Sequence, residues 1–174
     1  DVRKAVAENA NTPVPVLEKL AVDEYKPVRE KVAKNANTPV SLLEKFSEDE
    51  DEFVRESVVT NPNTPVPLFE KLAEDKSKHV RLRLAKNANT PVSVLEKLAE
   101  DEDTYVIYAV IQNANTPVSL LEKLAEDEDE SVRRNVAGNA KIQNANTPIS
   151  LLEKLAENED EGVRRNVAEN VNTP

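Results

Sequence analysis

The chain has 174 residues, 39% hydrophobic and 32% charged, with 33 acidic against 23 basic side chains for a net charge of −10. That apolar fraction supports a buried core. With no Cys, one His (His79) and two Gly (Gly138 and Gly162), the sequence offers no disulfide, no thiolate or multi-His metal site, no His-based triad and no glycine-rich phosphate loop.

Asn-Thr-Pro stands at 11–13, 37–39, 63–65, 89–91, 115–117, 146–148 and 172–174, spaced 26 residues apart except for one interval of 31. A period in this range signals a solenoid or a closed array. Counted from the residue before each Val-Arg, the units are 1–26, 27–52, 53–78, 79–104, 105–130 and 131–161, with a half unit at 162–174. The expectation is a single solenoid over 1–174. The chain begins and stops in mid-pattern, and it reads as a piece of a longer protein.

Each unit reads as two helices. One opens at Thr-Pro, for example Thr90-Pro91, where Thr is expected to cap the helix and Pro to take its first position. Val92, Val94, Leu95 and Leu98 then give that helix a broad apolar stripe, with Glu96 and Lys97 turned outward. An acidic run follows, such as residues 126–130, and its charge complements the dipole of the next helix start. The second helix is expected to be shorter: Val132 and Val136-Ala137 fall one turn apart on one face. Asn139 is the expected C-cap, in the left-handed conformation that ends many helices. Such short helices are marginal alone, so their stability is expected from stacking on neighbouring units.

Unit six carries five extra residues within 138–145, where Ile142-Gln-Asn-Ala145 echoes Ile111-Gln-Asn-Ala114. The readings are a tolerated loop insertion or a kink that re-aims the last repeat.

The unit Val-Arg-x-x-Val-Ala-x-Asn-Pro-x-Thr-Pro-x-x-x-Leu-x-x-Leu-Ala-x-Asp resembles the leucine-rich repeat variant family. Val54-Arg55, Val58, Asn61-Pro62, Thr64-Pro65, Leu68, Leu72-Ala73 and Asp75 carry the match best, and all units follow it. The resemblance implies an all-α fold related to HEAT-like solenoids, a right-handed α-solenoid of 26-residue two-helix repeats. It also implies alternation of α-helices with shorter, partly 3₁₀ helices, for which the Val-Arg helix is the candidate. Its functional implication is a non-enzymatic scaffold that binds a protein or peptide. Some family members carry an iron–sulfur domain held by cysteines; this chain has no Cys, and no cofactor is expected.

Departures from the repeat mark the candidate contacts. The position before Val-Arg runs Asp1, Pro27, Phe53, His79, Tyr105, Ser131, Gly162, and three residues further on it runs Lys4, Glu30, Glu56, Leu82, Tyr108, Arg134, Arg165. Stacking makes Phe53, His79, Leu82, Tyr105 and Tyr108 expected neighbours, with Arg81 and Arg83 at their border. Aromatic and Arg clusters are enriched at interfaces; the competing reading is side chains folded back over inter-repeat grooves. His79 alone is a surface or groove histidine and makes no ligand set.

Arg3, Arg29, Arg55, Arg81, Arg133 and Arg164 recur at one position, with Ile107 the exception. They form either a hydrogen-bonded ladder with the acidic loops and carbonyls or a positive track for nucleic acid or another phosphate. The helices that contain them hold 13 basic and 5 acidic residues, although the overall charge disfavours indiscriminate nucleic-acid binding. The acidic loops lack the alternation and mid-loop Gly of a calcium-binding hand. No catalytic constellation emerges, so the chain is read as no enzyme. No apolar run approaches the ~20 residues of a membrane helix, and no signal peptide is visible. The expectation is a cytoplasmic protein without a membrane partner. A purely architectural spacer, or end-to-end self-association of the units, is the remaining reading.

Overall fold

The valine and leucine spacings become helices throughout. The structure is a computed structural model that describes residues 2–139 and 149–169. The Val-Arg segments form α1 (Val2–Glu8), α3 (Lys26–Lys34), α5 (Glu52–Val59), α7 (Lys78–Lys86), α9 (Thr104–Gln112), α11 (Glu130–Asn139) and α13 (Glu161–Ala168). Between them lie the Thr-Pro helices α2 (Val14–Leu20), α4 (Val40–Phe46), α6 (Val66–Leu72), α8 (Val92–Leu98), α10 (Val118–Leu124) and α12 (Ile149–Ala156). No strand occurs among the described residues, and the fold is an all-α solenoid of repeated helix pairs.

The chain divides into two compact units, residues 1–87 and 88–174. In unit one, α1, α3, α5 and α7 pack on one another in order, and α2, α4 and α6 each bridge the two long helices that flank them. In unit two, α9 packs on α11 and α11 on α13, while α8, α10 and α12 each pack on the long helix that follows.

The core follows from helical spacing. Val54 and Val58, Val80 and Leu84, and Val106 and Val110 lie four residues apart and are fully buried, since such pairs share a helix face. The Thr-Pro helices contribute triplets such as Leu42, Leu43 and Phe46, or Val94, Leu95 and Leu98. The stripe expected to include Val92 is narrower: Val40, Val66 and Val92 stand 41%, 48% and 42% exposed. At 100° per residue such a Val lies roughly 110° round the helix from the centre of the stripe.

Three local expectations are corrected. The Val-Arg helices are α-helices, not 3₁₀, and in the interior repeats they are the longer of each pair, eight to ten residues against seven for α2 to α10. An acidic or serine side chain preceding the helix extends them: Asp51 Oδ1 accepts from Phe53 N at 2.9 Å, and Asp103 Oδ1 from Tyr105 N at 3.0 Å.

The expected threonine cap is also different. Pro13, Pro39, Pro65, Pro91 and Pro117 themselves sit at the N-cap with ψ between 148° and 156°. Their carbonyls accept the first helical N–H groups, as Pro39 O does from Leu42 N at 2.9 Å. The preceding Thr is buried, and its hydroxyl turns back to the long helix: Thr38 Oγ1 donates to Val32 O at 2.5 Å, and Thr64 Oγ1 to Val58 O at 2.6 Å. A buried hydroxyl needs a partner, and the carbonyl at that helix end, which already accepts one backbone N–H as Val32 O does from Asn35 N at 3.0 Å, has a second lone pair to offer.

Asparagine does not end these helices in the left-handed region. Asn35, Asn87 and Asn113 are extended, with φ of −68°, −78° and −72°. No positive φ occurs among the described non-Gly residues. The side chain of Asn139 and residues 140–148, hence most of the 138–145 insertion, lie outside the described residues. Asparagine serves between repeats. Asn35 Nδ2 donates to Ala7 O and Asn9 O at 2.8 and 2.9 Å, and Asn61 Nδ2 to Ala33 O and Asn35 O at 2.6 and 2.9 Å. One buried amide thus satisfies two carbonyls of the preceding repeat, and its own Oδ1 accepts from Asn37 N or Asn63 N at 2.8 Å.

Candidate functional site

The long helices set what reaches solvent. Their valines point into the core and their Arg turns into the acidic loops, so the position before Val-Arg and the position three residues on remain outside. In unit one this places Phe53 and Glu56 on α5, and His79, Leu82 and Arg83 on α7, two helices that pack together. Phe53 is 49% exposed, His79 and Arg83 are exposed, and Leu82 is half-buried. Lys26 Nζ lies 4.9 Å from the centroid of the Phe53 ring and 2.9 Å from Asp51 Oδ2, an attraction of cation to ring face reinforced by an ion pair.

Glu56, which stands in the same column as Leu82 and Tyr108, joins this face although its residue type gave no signal. Desolvation pushes its carboxyl above the ordinary carboxylate range, opposed by Arg83, whose Nε is 4.0 Å from Glu56 Oε2, and by His79. Ser77 Oγ donates to Glu52 Oε2 and accepts from His79 N at 3.3 Å.

Arg81 does not border this face. It is 8% exposed, and its Nη1 donates to Asp75 O at 2.8 Å. The reason is the ladder to which its column belongs. Arg29 grips Asp49 through Nε and Nη2 at 2.8 and 3.0 Å, while its Nη1 reaches Asp23 O at 2.9 Å. Arg55 repeats this on Asp75 at 2.7 and 2.9 Å, with Nη1 on Asp49 O and Glu50 O at 2.8 and 3.1 Å. Arg3 is 3.2 Å from Asp23. Hydrogen bonding to Asp49 and Asp75 holds Arg29 and Arg55 above the ordinary guanidinium range. These guanidiniums are occupied by carboxylates of the chain itself, which removes them from a phosphate track.

Unit two carries the other predicted contacts on α9. Tyr105 is 68% exposed and Tyr108 half-buried, with ring centroids 6.0 Å apart at 80°, an edge-to-face pair. The helix has no charged residue, and Ile107, in the ladder column, is half-buried. Further on, Arg133 Nη1 meets Asp127 O and Glu128 O at 2.7 and 3.0 Å, but its buried Nε has no partner. Asn158 stands where earlier repeats have Asp49, Asp75 and Asp101.

Arg134, in the column of Tyr108, turns onto the N-terminus of α13, with Nε and Nη2 each 2.8 Å from an Asp160 oxygen. That grip holds the Asp160 carboxyl well below its ordinary range. Gly162 makes it possible, because a Cβ there would lie 2.5 Å from Arg134 Nε.

Among the described residues no group of His, Asp and Glu is arranged to hold a metal ion, and no helix is long and apolar enough to cross a membrane. The family model described as leucine rich repeat variant matches residues 1–24. A solved structure, described as a leucine-rich repeat variant with a novel repetitive protein structural motif, is 28% identical with a TM-score of 0.71. The match covers 96% of this chain and 64% of that one, so the chain spans under two thirds of its relative's length. No curated protein matches.

Proposed function

The chain is an array of leucine-rich repeat variant units, and from that premise we propose that it binds a protein or peptide partner through the outer face of its long helices. A repeat fold of this kind is in general a scaffold for protein interaction. The finer reading rests on one observation: large rings stand exposed where the repeat does not require them. Phe53 and Tyr105 are 49% and 68% exposed at a position that is Asp, Pro, His, Ser or Gly in the other repeats. Rings and flanking cations are the residue types that anchor interfaces. In unit one His79, Leu82 and Arg83 accompany Phe53 on neighbouring long helices, and in unit two Tyr108 accompanies Tyr105. Binding to a phosphate backbone is disfavoured by the ladder, which commits Arg29 and Arg55 to aspartates.

The test is capture by the chain beside its Phe53→Ala/Tyr105→Ala/Tyr108→Ala variant, each with and without nuclease. The expected result is a protein held by the parent and lost by the variant whether or not nuclease is present. Capture that disappears with nuclease would replace this reading by nucleic-acid binding, and equal capture by parent and variant would remove the ring face from it.

A further inference from the structure

Unit one holds a set of cations that its arginine ladder does not use. On α7, His79, Leu82, Arg83 and Lys86 are spaced as one helix face, and on α3 Lys31 and Lys34 hold the repeat positions of Arg83 and Lys86. Lys34, Arg83 and Lys86 are exposed. Lys31 is taken by Glu8 at 2.5 Å, whereas Arg83 reaches Glu56 only at 4.0 Å. Among the described residues neither Lys34 nor Lys86 is in an ion pair. A cation in the last turn of a helix complements its dipole, but that role leaves the ammonium in solvent.

Between the two basic helices runs α5, which packs on both. Its own residues at these two positions are Ser57, buried with its hydroxyl on Phe53 O at 2.7 Å, and Thr60, which is exposed. Short side chains on α5 thus stand between long cations on its neighbours, and the Phe53 ring lies one turn before Ser57 on the same face. Half-buried there, Glu56 faces Lys34 on α3 and His79 and Arg83 on α7, with Glu52 on its own helix. Outside the ladder, α3, α5 and α7 carry six basic residues against three acidic. Unit two lacks the arrangement: the corresponding positions are Ala109 and Gln112, Asn135 and Gly138, and Asn166 and Glu169.

We infer that the outer face of α3, α5 and α7 receives an acidic segment of a partner protein, laid across α5 with carboxylates on Lys34, Arg83 and Lys86 and an apolar side chain turned to Phe53. This rests on the preceding reading of the ring face and specifies its partner in unit one. Packed helices lie roughly 10 Å apart, so Lys34 and Lys86 stand roughly 20 Å apart, a span of roughly six extended residues. Ser57 lies about 6 Å along α5 from Phe53, within reach of a leucine side chain on the crossing segment. Glu30, Glu52 and Glu56 on the same helices would repel a phosphate backbone, which also gains nothing from the ring.

The test titrates the full chain with a fluorescently labelled nonapeptide, Glu-Glu-Gly-Ser-Leu-Ser-Gly-Glu-Glu, and with its counterpart in which every Glu is Gln. The acidic peptide is expected to bind at least tenfold more tightly. Lys34→Gln/Arg83→Gln/Lys86→Gln should erase that preference and keep its helicity, because all three side chains are exposed. Glu56→Gln removes the facing carboxylate and should tighten the acidic peptide several-fold without moving the other. Phe53→Ala should weaken both peptides alike, and Tyr105→Ala/Tyr108→Ala, in unit two, should change neither. Equal affinity of the two peptides, no binding of either, or a preference that survives the triple substitution would overturn the inference. So would tighter binding of a single-stranded oligonucleotide of the same charge. Equal affinities that both fall with Phe53→Ala would sink the acidic partner and leave the ring face standing, whereas affinities that ignore Phe53→Ala would remove the ring from both readings.

Discussion

Unit one and unit two are built from the same repeat, yet their ladders differ. In unit one Arg29 and Arg55 meet aspartates through two nitrogens each, and Arg3 is paired with Asp23. In unit two Ile107 takes the arginine position of the set to which Asp127 belongs, and Asn158 takes the aspartate position for Arg133, whose Nε is buried and unpaired. Nine of the chain's ten net negative charges also belong to unit two. The contrast shows how a repeat acquires individuality. The valines and leucines that make the core are kept, while the polar pairs that join one repeat to the next are altered.

The largest expected effect breaks the intact ladder. Arg55 and Asp75 have side chains only 5% and 6% exposed, so Arg55→Met should cost about 3–5 kcal/mol by leaving a buried carboxylate alone, read from denaturant unfolding. Core truncation should not distinguish the units. Leu43 and Leu95 are both fully buried, and Leu43→Ala and Leu95→Ala should each cost about 2–5 kcal/mol. A large disparity between them would mean that the units differ in packing as well as in polar pairing. Asn61→Leu removes the amide donor from Ala33 O and from Asn35 O, the second of which keeps Thr38 N, and should cost about 1–3 kcal/mol in the same assay. Asn158→Asp should act in the opposite direction, giving Arg133 a carboxylate and raising stability by about 1 kcal/mol; a fall on thermal melting would contradict the ladder geometry in unit two.

The smallest effects are those of pH, and they differ in sign between the units. Glu56 is held above the ordinary carboxylate range by burial. Its contribution to stability is therefore complete below that range and lost as pH rises through the raised value. Glu56→Gln should be slightly more stable than the parent at neutral pH, with the difference vanishing in acid. Asp160 is held low by Arg134, so its contribution is present above the ordinary range and lost as pH falls through the depressed value. Asp160→Asn should lower stability at neutral pH and converge on the parent in strong acid, as followed by unfolding at a series of pH values.

The repeat period, the two helices and the faces that Val54, Val58, Leu68 and Leu72 bury were legible in the sequence, because these are properties of spacing within one segment. The Arg ladder was legible as one of two readings, since a basic column following acidic loops has that partner at hand. What escaped was set by the neighbouring repeat. Thr38 reads as a helix cap because Ser and Thr usually cap the helix they precede, yet here the nearest acceptor is Val32 O on the helix before. Asn61 reads as a turn residue, but its amide belongs to Ala33 and Asn35, 28 and 26 residues away. The strict recurrence of Asn at that position was the available signal. Arg81 reads both as a border of the ring columns, because it stands between His79 and Leu82 in sequence, and as a member of the ladder, and its burial follows the ladder. Glu56 shows the converse case, a residue that gains its interest from Arg83 and His79 on the next helix.

The measurement that tests the account most directly is amide hydrogen exchange followed by mass spectrometry, resolved to α5 in unit one and α9 in unit two. Both helices bury a valine pair at the same repeat positions, and they differ in polar pairing. The account predicts slower exchange across α5, where Arg55 is locked to Asp75, than across α9, where Ile107 leaves Asp127 without its guanidinium. Equal protection of the two helices, or slower exchange in α9, would contradict the claim that the ladder sets the local stability of each repeat.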